Sequence, residues 1–109
     1  MTEIIYSGEN QELLYKSLPY VYVGIRNSDG KYYIGARMAH MHKRRIISED
    51  FGKIYFTSSE RVKHNFNNFY WEIIYIGKNA NKVFEFERDL IKEFKPLRIL
   101  LNTCWSVII

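Results

Sequence analysis

From Tyr20 onward apolar and polar positions alternate, so that Val21, Val23 and Ile25 fall on one face of an extended segment and Tyr20, Tyr22, Gly24 and Arg26 on the other. Asn27-Ser28-Asp29-Gly30 is a turn sequence. Alternation resumes behind it, with Lys31, Tyr33 and Gly35 on one face and Tyr32, Ile34 and Ala36 on the other. The two runs predict a β-hairpin whose Tyr22 and Tyr33 share a face if the register pairs them so.

The rest of the chain reads less evenly. Residues 1–18 mix polar and apolar positions, and Glu12-Leu13-Leu14-Tyr15-Lys16 predicts a short helix that ends before Pro19. Residues 37–54 are basic and weakly patterned, a loop with one helical turn. Thr57-Ser58-Ser59-Glu60 has the spacing of a capping box, and Val62, Phe66 and Phe69 recur behind it at helical intervals, which predicts a helix from about Ser58 to Asn67. Trp71-Glu72-Ile73-Ile74-Tyr75-Ile76 is a β-rich run closed by Gly77 and predicts a central strand. Asn79 to Phe94 predicts the longest helix, stopped by Pro96, and the tail from Leu97 to Ile109 is apolar.

Composition narrows the classes of function. With 109 residues a single domain is expected, with no length to spare for a separate recognition module. Hydrophobic residues make up 47% and charged residues 26%, which is ordinary for a folded domain and unlike a disordered one. Lys and Arg outnumber Asp and Glu by 16 to 12, a balance compatible with a polyanionic partner such as nucleic acid but insufficient to identify one. Cys104 is the only cysteine, so an intrachain disulfide and a thiolate-rich zinc site are both excluded. The first residues lack a basic segment followed by an apolar run, and no stretch approaches a membrane span, so a soluble cytoplasmic protein is expected.

One carboxylate stands out. Val83, Phe84, Leu90, Ile91 and Phe94 mark the apolar stripe of the last helix, and Glu87 falls near its middle, whereas Glu85, Asp89 and Glu93 project to solvent. An unpaired buried carboxylate is costly, so a cation should meet Glu87, either a side chain in an ion pair or a metal ion. His40-Met41-His42-Lys43-Arg44-Arg45 reads as a solvated basic loop suited to phosphate contacts. It is not a zinc site, because residues two apart on a helix point about 200° from each other. His64 reads as a surface residue. Ser58 and Ser59 read as capping residues whose hydroxyls could also meet a phosphate.

Tyr22, Tyr33-Ile34-Gly35, the strand from Trp71 to Ile76, Glu87 and Leu101-Asn102 follow one another in an order that resembles the GIY-YIG nucleases, over residues 20 to 102. Lys31-Tyr32-Tyr33-Ile34-Gly35-Ala36-Arg37 and Tyr55-Phe56-Thr57-Ser58-Ser59 are most similar to the subgroup found in bacteriophage genomes and mobile elements. The first tripeptide departs from the family: it reads Tyr20-Val21-Tyr22, with tyrosine at the usual glycine. Where many members carry a helical arginine this chain has Lys43; Arg37 is the better match to the phage-like subgroup and Arg44 the reserve.

The resemblance implies an α+β fold with a small three-stranded antiparallel sheet flanked by helices, residues 1–18 forming a lead-in and 19–109 the nuclease-like domain. It implies hydrolysis of DNA phosphodiester bonds with one divalent ion, Mg²⁺ or Mn²⁺, anchored by Glu87. Tyr22 would orient or deprotonate the attacking water, a role that needs nearby positive charge from Lys31 or Arg37 because a phenol ordinarily titrates near pH 10. Tyr33 would bind phosphate or position water, Arg37 would stabilise charge on the pentacovalent phosphate, and Asn102 would hold Glu87 or the backbone around it. Lys31, Lys43, Arg44 and Arg45 would contact DNA. A homodimer through Val107-Ile108-Ile109 would give two cutting sites. The competing readings are a nucleic-acid-binding module of the same fold that has lost cutting, and an unrelated α+β interaction domain with exposed tyrosines and an apolar tail.

Overall fold

The computed structural model describes residues 4–38 and 44–102. Along them run β1 (Ile5–Tyr6), a 3₁₀ turn at Gln11–Tyr15, β2 (Tyr20–Arg26), β3 (Tyr32–Arg37), α1 (Ile47–Asp50), α2 (Glu60–His64), a 3₁₀ turn at Phe66–Asn68, β4 (Phe69–Ile76) and α3 (Ala80–Phe94). The fold is α+β. Among the described residues no helix is long and apolar enough to cross a membrane.

The sheet has four strands in the order β1-β4-β2-β3 and is mixed, which corrects the expected three-stranded antiparallel sheet. β2 pairs antiparallel with both β3 and β4, whereas β1 runs parallel to β4 through Ile5↔Glu72 and Tyr6↔Ile73. A strand of two residues is too short to show a period of two, so the sequence pattern conceals it. Ile4, Tyr6, Leu13, Leu14 and Leu18 pack on the core, so the lead-in is part of the same folded body as the hairpin.

The hairpin register pairs Tyr20 with Arg37, Tyr22 with Gly35 and Gly24 with Tyr33. Tyr22 and Tyr33 therefore lie diagonally across one face, their ring centroids 6.3 Å apart, as the alternation predicts. On this face Tyr20, Tyr22, Phe51, Phe66 and Trp71 form a largely aromatic core. Trp71 stacks on Phe66 with centroids 4.6 Å apart, and its Nε1 donates to the Phe66 carbonyl at 2.8 Å. On the other face Val21, Val23 and Ile34 pack against Val83 of α3, with Phe86, Leu90, Ile91 and Phe94 around them. A register shift opposite Val21 and Tyr22 leaves Ile74 as an extra residue, so Ile74 and Tyr75 both turn toward α3.

Two local expectations change. Phe84 is 51% exposed, and Phe86 instead stacks on Tyr75 at 4.3 Å. A stripe through Val83 at helical spacing contains 86, 87, 90 and 94, while position 84 is rotated off it by about 100°. The helix after Thr57 is also shorter than predicted. Ser59 is its cap and accepts from the Val62 N–H at 3.4 Å, whereas Thr57 has φ of 81° and stands outside the helix. The Asn65 amide donates to the Arg61 carbonyl at 2.9 Å, a side-chain competitor that ends the α-helix at His64 and leaves a 3₁₀ turn beyond it. α3 begins as predicted, with the Asn79 side chain accepting from the Lys82 N–H at 2.9 Å.

Candidate active site

The outer edge of β3 is where the two faces of the sheet meet. Residues 99–102 run beside its first half: the Tyr32 N–H donates to the Ile99 carbonyl and the Leu101 N–H to the Tyr32 carbonyl, each at 2.7 Å. Asn102 then acts as a side-chain continuation of the ladder. Its Oδ1 accepts from the Ile34 N–H at 2.8 Å and its Nδ2 donates to the Ile34 carbonyl at 2.7 Å. Asn102 thus holds the backbone of β3 at Ile34 and neither Glu87 nor the backbone around it, which corrects the role expected of it. The outward-facing groups of β3 recur every second residue, so those of Ala36 point to the same edge just past this clamp.

Beyond the clamp opens a cavity of about 260 Å³ bordered by Tyr33, Gly35, Ala36, Ser58, Glu87 and Asn102. Tyr33 and Gly35 reach it from the aromatic face, and Glu87 comes over the strand edge from α3 on the aliphatic face. The structure so brings together Tyr33, Glu87 and Asn102, which lie far apart in sequence. Glu87 is half-buried, and burial pushes its carboxyl above the usual carboxylate range. Among the described residues no hydrogen bond or ion pair reaches it, so the expected ion-pair partner is not found there. Nor do three His, Cys, Asp or Glu side chains cluster anywhere among those residues. A cation at Glu87 would meet one carboxylate and the neighbouring hydroxyls, all hard oxygen donors, and that set fits Mg²⁺ or Mn²⁺.

Tyr22 lies directly behind this cavity and is fully buried. A Cβ on Gly35 would run into the Tyr22 ring, which is why the residue opposite it must be glycine. The Tyr22 hydroxyl pairs with that of Tyr55 at 2.9 Å. Burial holds the Tyr22 phenol well above its ordinary pKa, and the neighbouring Tyr55 and Tyr33 push it the same way. The expected supply of positive charge from Lys31 is therefore not realised: Lys31 sits at the hairpin turn, four residues or about 13 Å along the strand from Gly35. Burial also raises the Tyr33 and Tyr55 phenols; the hydroxyl of Tyr22 at Tyr55, and that of Ser58, whose single proton can serve either phenol, act in the opposite direction. Hydroxyl groups consequently run from buried Tyr22 through Tyr55 and Ser58 to Tyr33 at the cavity.

Arg37 ends β3 on the same face as Tyr33 and Gly35. Its Nε and Nη2 donate to the Asp50 carboxylate at 3.0 and 3.2 Å, and its guanidinium lies 4.1 Å from the centroid of the Tyr55 ring. Tyr20, where the resemblance would place a glycine, donates to Asp50 at 2.7 Å. Arg45 approaches the same carboxylate at 3.9 Å. Arg44 is exposed and left-handed, with φ of 51°. His64 is exposed, as expected, beside Glu60 at 3.6 Å. Lys43, His40, His42 and the tail Val107-Ile108-Ile109 lie outside the described residues.

Sequence reasoning missed Asp50 and the role of Tyr55; of the two serines expected to cap the helix or meet a phosphate, Ser59 is the cap and both border the cavity. The signal for Asp50 was present: on the one-turn helix it falls three residues after Ile47 and directly before Phe51, both core residues. Comparison of the chain with protein-family models, curated proteins and solved structures finds no match.

Proposed function

We propose that this chain is a metal-dependent DNA endonuclease of the GIY-YIG kind. The observation that carries the proposal is the half-buried Glu87 carboxylate, unpartnered among the described residues, facing Tyr33 across the edge of a tyrosine hairpin. A carboxylate there is unfavourable unless a cation completes it. Bound at Glu87, a divalent ion supplies Lewis-acid polarisation of a phosphate oxygen.

The chain's own groups do the rest. The neutral Tyr33 hydroxyl orients water or a phosphate oxygen at the cavity, with Ser58 beside it, and Tyr22 works from behind by fixing Tyr55. Asn102 keeps the edge of β3 straight where the substrate must lie. Arg37 offers its guanidinium to the charge that grows on phosphorus.

The test is cleavage of supercoiled plasmid in Mg²⁺ by the parent and by Glu87→Gln. Nicking by the parent and its near-complete loss in the variant is the expected result; equal nicking by both refutes the proposal. The burial of Tyr22 also suits a second reading, a module of this fold that binds nucleic acid without cutting. Salt-dependent DNA binding with no cleavage by the parent would favour it.

A further inference from the structure

Asp50 has no exposed surface, and an ion of that kind is tolerated only when it is paired and hydrogen-bonded. Arg37 donates to both of its oxygens and Tyr20 adds a short bond to Oδ2. The Tyr20 ring is itself fixed edge-on against Phe51 at 5.9 Å, and the Arg37 guanidinium carbon lies over the Tyr55 ring. The guanidinium is therefore held by the carboxylate fork on one side and by an aromatic ring on another. Among the described residues this leaves Nη1 without a hydrogen bond. Replacing a buried ion pair by apolar side chains is often neutral for stability, so the pair calls for a reason beyond stability. A long side chain that is immobilised with one donor unspent is suited to receive an anion with little further loss of freedom.

We propose that Asp50 and Tyr20 are positioning residues for Arg37, holding its guanidinium on the Tyr33 face of β3 with one donor free for a DNA phosphate. The inference rests on the nuclease reading. It gives Tyr20 a use: the tyrosine that replaces the family's glycine steadies the carboxylate that steadies the arginine.

The experiment is a double-mutant cycle on plasmid cleavage in Mg²⁺, with thermal melting of every variant. Arg37→Ala should lower kcat by about 10²- to 10³-fold. Asp50→Asn should lower it about 10²-fold, as a small displacement of a charge-stabilising group does, with KM nearly unchanged. Tyr20→Phe, which keeps the ring and removes only the hydroxyl, should lower it about tenfold. In the Arg37→Ala background neither substitution should cost more than about twofold further, because both act through the guanidinium. If Asp50→Asn does not fold, Tyr20→Phe carries the cycle.

Undiminished additive effects in the Arg37→Ala background, or full kcat in Asp50→Asn or Tyr20→Phe, overturn the inference while Glu87-dependent cleavage keeps the nuclease reading intact. If the parent shows no Glu87-dependent cleavage, the nuclease reading falls and the use of Arg37 on DNA falls with it. The hold itself is then decided by the Arg37 Nε–H resonance. A separate, slowly exchanging signal that is lost in Tyr20→Phe supports the hold, and a signal averaged with the other arginines in the parent overturns it.

Discussion

The two faces of the central sheet are built from different materials. Toward α3 the buried residues are Val21, Val23, Ile34 and Val83, side chains with no polar atom to satisfy. Toward α1 and α2 they are Tyr20, Tyr22, Tyr33, Phe51, Phe66 and Trp71, and the tyrosines carry hydroxyls that must find partners inside. Tyr20 finds Asp50 and Tyr22 finds Tyr55, so the aromatic face buries a polar network that the aliphatic face does not. From the aliphatic face Glu87 is delivered over the edge of β3 to the hydroxyls of the other side. The candidate site thus sits at the seam between the faces, where a desolvated carboxylate and buried phenols can meet without breaking either core.

That contrast can be broken experimentally. Trp71→Ala should cost about 3–5 kcal/mol in chemical denaturation, because it empties the centre of the aromatic face and frees the Phe66 carbonyl. Val83→Ala on the other face should cost about 2 kcal/mol, and a larger loss there would mean that the aliphatic face carries the fold. Asn102→Ala should cost about 1–3 kcal/mol and speed hydrogen exchange at Ile34, since both backbone groups of that residue lose their partner. An unchanged Ile34 amide would show that the clamp is not needed.

Smaller effects sharpen the picture at the seam and far from it. Glu87→Gln should melt at or slightly above the parent without added metal, because the substitution removes a desolvated charge that no described residue compensates. A clear drop in melting temperature would reveal a protein partner for Glu87 and weaken the metal reading. At the hairpin turn, remote from both cores, the hydrogen bonds of Arg26 hold the Asp29 carboxyl down to about 2. A lowered folded-state pKa stabilises above the ordinary carboxylate pKa and loses that stabilisation as pH falls through the lowered value. Asp29→Asn should therefore melt slightly below the parent at about pH 5 and draw level with it as the pH falls through about 2, the smallest effect of the set because the pair is exposed.

Periodicity made much of this legible. Alternation over 20–36 placed Tyr22 and Tyr33 together, and the helix from Asn79 and the central strand at Trp71 lie where their patterns put them. Glu87 was visible as a carboxylate on an apolar stripe. β1 was not visible, being two residues long, and Phe84 was misplaced because hydrophobicity was read without its angle on the helix. Asp50 was hidden in a basic loop where acidic residues ordinarily face water.

By itself the sequence determined which residues share a face, because side-chain direction along a strand or helix is a local property of backbone geometry. Only the tertiary structure decided which partners those faces meet. That Asn102 clamps Ile34, that Asp50 rather than solvent receives Arg37, and that Glu87 crosses the edge of β3 toward Tyr33 all depend on how separate elements pack. The physical reason is that burial and long-range pairing set the energy of a polar group, and neither is written in the spacing of its neighbours.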